Sequence, residues 1–344
     1  MRYRAGYFSL KMPRKKCRKI LIIGPLGEVG GVKTHVELLA EILHPLADNK
    51  VEISKSLHLR DFFYFCLVFR PQIVIFNLSI YRNQVIKNYL FRFLFAMWRP
   101  VCVLHLHGGT FEDLELGRIS NILLKPYFLS FRKIFCITDE QYDFVAAFKN
   151  MENKIERIHN YVNIPEKDLL QKDDEWLDLL YVGRLHPDKG VMEIIAAVKH
   201  INNPKVRLWV IGSGEMENEV RCAQNQQITY LGKLFGSEKE KYFLKAHAFL
   251  LPSSWKEGLP YALLEGAASG QVLVATNVGA VDQVLKEGVN GFFVKPKNVT
   301  QLVNVIDLLF NDRQLLQEMG AASRQIAVQR FSLDNLREIY VDLV

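Results

Sequence analysis

No stretch of this sequence reaches the roughly 18 uncharged apolar residues that a membrane-spanning helix needs. The longest candidates, 61–80 and 84–98, are interrupted by Arg70, Pro71, Lys87 and Arg92. Cysteine is scarce and unpaired in pattern. Cys17, Cys66, Cys102, Cys136 and Cys222 are odd in number and far apart, with no Cys-x-x-Cys, which argues against a zinc or dithiol centre and makes a reducing cytosol the expected setting. A secretory leader is not expected either. The first nineteen residues carry eight Lys or Arg and no acid, but the apolar run that follows, Ile20 to Ile23, stops at Gly24-Pro25. Internal repeats, low-complexity segments, a Walker A loop, a G-x-G-x-x-G fingerprint and nucleic-acid-binding motifs are all missing. The nearest approach to a metal-binding Asp-x-Asp is Asp113-Leu114-Glu115, which reads as a helix start.

What is present is the composition of a folded protein with two cores: 344 residues, 49% hydrophobic and 24% charged, with a mean hydropathy of +0.02. The charge is unevenly divided. Residues 1–168 hold 25 basic and 16 acidic side chains, a balance of +9, whereas 169–344 hold 19 and 21, a balance of −2. A basic half suits an anionic surface or substrate. Tyr81 to Pro100 mixes Arg82, Lys87, Arg92 and Arg99 with Phe91, Phe93, Leu94, Phe95 and Trp98, a combination that fits either a bilayer surface or an ordinary core helix with solvated charges.

Short apolar runs alternate with helix-like stretches along the whole chain. Strands are expected at Lys19–Ile23, Ile73–Asn77, Val101–Leu106, Ile134–Ile137, Leu179–Val182, Val206–Ile211, Ile228–Leu231, Ala248–Leu251, Val272–Ala275 and Gly291–Val294. Continuously apolar strands between helices mean parallel sheets covered on both faces, hence two doubly wound α/β domains. The polar stretch 163–178 is the expected linker.

Four loops between a strand and a helix carry the residues of chemical interest. Gly24 to His35 places Gly30 and Gly31 where a backbone can approach a phosphate at a helix start, although a plain turn has the same composition. His107-Gly108-Gly109-Thr110 follows an apolar strand, so the imidazole is expected exposed at a carboxyl strand end, with His105 pointing the other way. Gly183-Arg184 and Lys189 bracket the start of another helix, and two such cations suit a diphosphate. Gly212-Ser213-Gly214 ends the next strand in the corresponding position. Glu257, in the loop before a helix, and Glu265, within it, can face one ligand as acceptors for hydroxyls.

Gly30-Gly31 with His35, His107-Gly108-Gly109, Gly183-Arg184 with Lys189, and Glu257 with Glu265 together resemble the retaining glycosyltransferases of family 4, over nearly the whole chain. The resemblance implies a GT-B fold: two Rossmann-like domains facing a cleft. The N-terminal acceptor-side domain would span 1–162, including a basic extension at 1–18. The linker is 163–178, the nucleotide-sugar domain 179–330, and a C-terminal helix at 331–344 crosses back to the first domain.

It further implies that Arg184 and Lys189 hold the donor diphosphate, Glu265 the ribose and Glu257 the hydroxyls of the transferred sugar. His107 would lie beside that sugar, and Gly30 and Gly31 would approach the diphosphate from the opposite domain. Gly183, Gly212, Gly258 and Leu259 join the donor loops, and Leu231 and Gly232 lie where the family holds the base through backbone groups. The inter-domain Pro-Asn-Gly-Val-Asp of the family stands here as His159-Asn160-Tyr161-Val162-Asn163.

The function so implied is transfer of a sugar from a nucleotide-diphosphate donor, a UDP-sugar, to a glycan or lipid-linked acceptor in cell-surface polysaccharide synthesis. Neither a metal nor a cofactor is expected, nor a nucleic-acid partner. The expected location is cytoplasmic, on the inner face of the membrane. A nucleotide-sugar 2-epimerase of the same architecture and an inactive nucleotide-sugar-binding subunit are the alternatives.

Overall fold

The computed structural model describes residues 19–24, 31–47, 50–54, 64–78, 99–107, 124–165, 172–173, 175–201, 203–254, 258–341 and 343. The basic extension 1–18, residues 81–98 of the aromatic-basic segment, and the Asp113-Leu114-Glu115 triplet lie outside them. Two six-stranded sheets, parallel throughout, account for the fold. The first contains β1 (Ile20–Ile23), β2 (Val51–Ser54), β3 (Ile73–Leu78), β4 (Val101–Leu106), β5 (Lys133–Cys136) and β6 (Ile155–Arg157), in the order β2-β1-β3-β4-β5-β6. The second contains β7 (Leu177–Val182), β8 (Val206–Ile211), β9 (Ile228–Tyr230), β10 (Ala248–Leu251), β11 (Val272–Ala275) and β12 (Gly291–Phe293), in the order β12-β11-β10-β7-β8-β9. This is the GT-B architecture, two Rossmann-like α/β domains.

The period of a strand explains the layers. Along β1, Leu21 and Ile23 enter one apolar cluster and Ile20 and Ile22 the other, so both faces of the first sheet are covered. The second face is covered by α1 (Gly31–Leu46), through Val36, Leu39 and Leu43, which recur at helical spacing. The second sheet has one continuous core. It is flanked by α3 (Val191–Ile201), α4 (Glu217–Cys222), α5 (Gly236–Lys245), α6 (Tyr261–Ala268), α7 (Val299–Asn311) and α8 (Arg313–Phe331), whereas α2 (Asp139–Ala146) belongs to the first domain. After α8 the chain returns: α9 (Leu333–Val341) puts Leu336 and Tyr340 into the first domain's core beside Ile20 and Ile22.

Three features depart from the sequence reading. Edge strands β2 and β6 were not anticipated, because Val-Glu-Ile-Ser and Ile-Glu-Arg are short and only half-buried and so lack the uniform apolar signature of the central strands. The second domain's first strand begins at Leu177, inside the expected linker, and Asp178 is a buried strand residue. Its carboxylate is paired in register with Arg207 of β8 through two hydrogen bonds of 2.6 and 2.8 Å, and the guanidinium lies 4.3 Å from the Trp176 ring. A charge thus occupies a core strand because its partner sits on the neighbouring one. Among the described residues, no helix is long and apolar enough to cross a membrane.

The same corner generates a pH dependence. His247 accepts the Asp178 backbone N–H at Nδ1 over 3.0 Å, so the ring must be neutral. Burial, with Lys172 and Arg313 nearby, pushes its pKa down to about 3. In the unfolded chain the ring takes up a proton below about pH 6.5, which the folded state refuses until about 3. Its contribution is therefore complete above pH 6.5 and is lost as the pH falls through that window, on the order of 2 kcal/mol by pH 5. His247→Asn offers an amide oxygen to the same N–H without a titrating group. Denaturant titrations at pH 7.5 and 5 should show a smaller acid loss in that variant, and equal losses would remove His247 from the account.

Candidate functional site

At the carboxyl end of the first sheet, Cys102, Leu104 and Leu106 of β4 face one cluster and Val103 the opposite one, beneath α1. His105 shares the Val103 face because residues two apart on a strand point the same way. His107 continues it: the two rings are stacked 6.0 Å apart, so the expectation of opposite directions is wrong. His107 is also buried, not exposed, and its Nε2 lies 3.1 Å from Asn77 Oδ1. His35, on α1, completes a trio, 4.9 Å from His105 and 4.4 Å from His107 between ring centroids.

All three imidazoles are held neutral chiefly by burial. His35 falls to about 4, and His105 and His107 lie well below the usual histidine range, further lowered by their neighbouring rings. Two hydrogen bonds anchor the trio outside the first sheet. His35 Nδ1 is 3.0 Å from Tyr261 Oη, on α6 of the second domain, and His105 Nε2 is hydrogen-bonded to Tyr340 Oη on α9.

The other candidate residues lie on the second domain, several of them on the loops of its sheet. Arg184, just after β7, is exposed and has no acidic partner among the described residues. Lys189 ends the short 3₁₀ turn Pro187–Lys189, and left-handed Gly190 (φ 73°) then admits the chain to α3. That turn is clamped from the β10 loop: the Ser254 N–H and Ser253 Oγ both donate to the Asp188 carbonyl, at 2.8 and 3.0 Å. Residues 186–190 therefore present Lys189 and the N-terminus of α3 from a fixed frame.

Gly212 (φ 147°) follows β8, and a methyl group there would overlap the Gly183 carbonyl oxygen. Its N–H bonds Gly232 O at 2.9 Å, while the Leu231 N–H bonds Val210 O. Gly183, Gly212, Leu231 and Gly232 thus form one backbone-paired corner.

Leu259 is a core residue, and its carbonyl accepts Asn160 Nδ2 at 2.6 Å across the domain boundary. Gly258 beside it faces open space among the described residues. Glu265 lies in the second turn of α6, its Oε1 2.7 Å from Lys239 Nζ of α5. Burial raises its pKa and Lys239 opposes that rise. Tyr261, one turn earlier, is held well above the usual tyrosine range by burial and by Glu265. Gly31 is the first residue of α1. Gly30, Gly108, Gly109, Thr110 and Glu257 lie outside the described residues.

Sequence reasoning missed Asn77, Tyr261, Lys239 and Tyr340, the partners of His107, His35, Glu265 and His105. None stands in a glycine-bearing motif, and each reaches its partner through tertiary packing. The strand period, applied to His105 and His107, would have put both on one face, contrary to the expectation drawn from the sequence.

Residues 164–326 match the family described as glycosyl transferases group 1. The chain is similar to the uncharacterized glycosyltransferase MJ1607 of Methanocaldococcus jannaschii, at 27% identity over 58% of this chain and 55% of that one. It is also similar to the UDP-Gal:alpha-D-GlcNAc-diphosphoundecaprenol alpha-1,3-galactosyltransferase of Escherichia coli, at 25% identity over 47% of this chain and 45% of that one. The matches thus span about half the length of these relatives. In three dimensions it resembles Anabaena Alr3699/HepE, crystallised with UDP, with a TM-score of 0.71, 16% identity, and coverage of 94% of this chain and 99% of that one.

The glycine corner supplies a graded test of packing. Gly212→Ala combines a left-handed backbone with overlap of a carbonyl and should cost on the order of 3 kcal/mol. Gly232→Ala (φ 70°, no atom within 4 Å) should cost only the conformational part, about 1 kcal/mol. Gly258→Ala should be close to neutral. Equilibrium unfolding of the three variants should reproduce that order, and a Gly212→Ala protein as stable as Gly258→Ala would refute the packing account.

Proposed function

Given that residues 164–326 form a glycosyl transferases group 1 domain in a chain of GT-B fold, we propose that this protein is a retaining, metal-independent glycosyltransferase. It moves a sugar from a UDP-sugar to a glycan or lipid-linked acceptor in polysaccharide synthesis. The observation that carries the reading is the pairing of Arg184 and Lys189 around the start of α3, on a frame clamped by Ser253 and Ser254. Transfer proceeds through an oxocarbenium-like state while negative charge grows on the departing diphosphate. Two cations and a helix N-terminus aimed at that diphosphate lower the barrier without a divalent ion. Retention of configuration is taken from the residue match to family 4. UDP as the carrier draws on the UDP-bound structure and the UDP-Gal-dependent relative.

Glu265 is assigned to the ribose hydroxyls and Glu257 to those of the transferred sugar. His107 acts from the other domain. Asn77 Nδ2 bonds Ile23 O at 3.4 Å, so its Oδ1 is the end that accepts; His107 Nε2 then carries the proton, and its Nδ1 presents a lone pair. A sugar hydroxyl is a suitable donor to it. The lipid-linked acceptor is supported by the diphosphoundecaprenol substrate of the Escherichia coli relative. A cytoplasmic location at an anionic membrane surface is supported by the basic first half and by exposed Tyr64, Leu67 and Val68 in the first domain.

Arg184→Ala and Lys189→Ala should each weaken UDP binding and transfer together, by roughly 30-fold for the loss of one charge-assisted hydrogen bond. His107→Ala should instead abolish most transfer while leaving UDP affinity, measured by calorimetry, nearly unchanged. Unaltered turnover in both clamp variants would remove the proposed donor site, and parallel losses of binding and transfer in His107→Ala would make that residue structural. Neutralising Arg82, Lys87 and Arg92 should release the protein from anionic vesicles in sedimentation assays, as each charge near the surface is worth about 1 kcal/mol. An unaltered protein that does not sediment with such vesicles at low salt has no membrane surface to lose.

A further inference from the structure

We propose that Tyr261 is a positioning residue for transfer: its hydrogen bond to His35 fixes the donor loop entering α6 against the first domain, and with it the placement of His107 relative to the donor. The assignment rests on the glycosyltransferase reading. The bond passes from one domain to the other, with His35 Nδ1 3.0 Å from Tyr261 Oη and His35 buried on α1.

The start of α6 takes its restraint from across the domain boundary. Pro260, its N-cap residue, makes no side-chain capping hydrogen bond. Asn160 Nδ2 donates to the Leu259 carbonyl at 2.6 Å, and two residues later the Tyr261 hydroxyl meets His35. A loop pinned at one point can turn about it, whereas a second point fixes its angle. Asn160 belongs to the segment that crosses between the domains, and His35 to the body of the first. The two bonds together therefore set how that body faces Gly258 and Leu259 of the donor loop.

On the first domain the connection continues to the sugar. The His35 ring packs against that of His107, with centroids 4.4 Å apart, and His107 is assigned to the transferred sugar. On α6, Tyr261 stands four residues before Glu265, so the two are neighbours along one side of the helix. Glu265 is itself tied within the second domain, to Lys239 at 2.7 Å. Loss of the Tyr261 hydroxyl thus leaves the ribose and diphosphate groups with their partners and alters only the registration of the first domain on the donor loop.

The bond persists at neutral pH. Burial pushes the His35 pKa down to about 4, leaving the ring uncharged, and burial with Glu265 nearby keeps the Tyr261 proton in place. Water can replace either partner when the domains part, so one such bond is worth about two- to tenfold in an equilibrium. That is enough to favour the joined arrangement and too little to prevent release.

The test uses the full chain. Tyr261→Phe keeps the ring and removes the hydroxyl, and His35→Leu removes the partner on the other domain. The amides of Leu263 and Leu264, which donate to the Pro260 carbonyl, should exchange with solvent about fivefold faster in both variants. A role confined to the second domain would not let His35→Leu act on α6. Turnover is measured with whichever of UDP-glucose, UDP-galactose and their N-acetylated forms the unaltered protein consumes fastest. It should fall about fivefold or more in each variant, with UDP affinity by calorimetry within twofold of the unaltered protein. The double variant should lose no more than the worse single one. Unchanged exchange and turnover in Tyr261→Phe, additive losses in the double variant, or a fall in UDP affinity parallel to that in turnover overturns the proposal. A protein that neither binds UDP nor consumes any of these sugars overturns the donor reading instead, and amide exchange then decides the His35–Tyr261 contact alone. If His35→Leu does not fold, Tyr261→Phe decides by the same amides and the same split between affinity and turnover.

Discussion

The arrangement of this molecule depends on one seam, where the chain crosses between the domains and later crosses back. Val162, leaving the first domain, bonds through its N–H to Phe331 O at 2.8 Å and forms a parallel bridge with Ser332 as the chain returns. His159 packs its ring against Phe331, Tyr161 enters the first core, and Asn160 holds the Leu259 carbonyl. With both crossings tied together, α9 lands on the first sheet and Tyr340 arrives beneath His105. The segment that departs from the family's Pro-Asn-Gly-Val-Asp therefore makes its own connection, using Tyr161 as core and Val162 as a backbone partner.

From that seam follows the economy of the facing loops. The second domain presents cations and a helix start from a rigid frame. The first presents neutral imidazoles in a dry environment. Several side chains at the junction serve two purposes. Tyr261 begins the helix that carries Glu265 and also reaches His35. Lys239 compensates a carboxylate that burial would otherwise drive toward its neutral form. Gly212 is required by its close approach to the Gly183 carbonyl, whether or not a ligand is present. Glycine in such a loop is therefore weak support for phosphate binding by itself, and the loops acquire meaning from the cations beside them.

The central strands were legible because they are apolar at every position, and a strand buried on both faces has no other composition available to it. The order of motifs along the chain likewise carried the two-domain architecture and the positions of Arg184, Lys189 and Glu265. Edge strands β2 and β6 escaped because half of each faces solvent, and the start of β7 escaped because Asp178 looks like linker until Arg207 is seen beside it. His107 was read as exposed from the two glycines that follow it. What decides exposure is α1 lying over that face of β4, and no local pattern encodes that.

Sequence alone thus determined which segments form the central strands, since these depend on neighbours a few residues away. Only the tertiary structure decided what each polar side chain meets. His35 and Tyr261 are 226 residues apart and His105 and Tyr340 are 235 apart. Contacts over such separations arise from the packing of whole sheets and helices, whose net outcome is a sum over many apolar contacts and leaves no mark on the residues immediately around either partner.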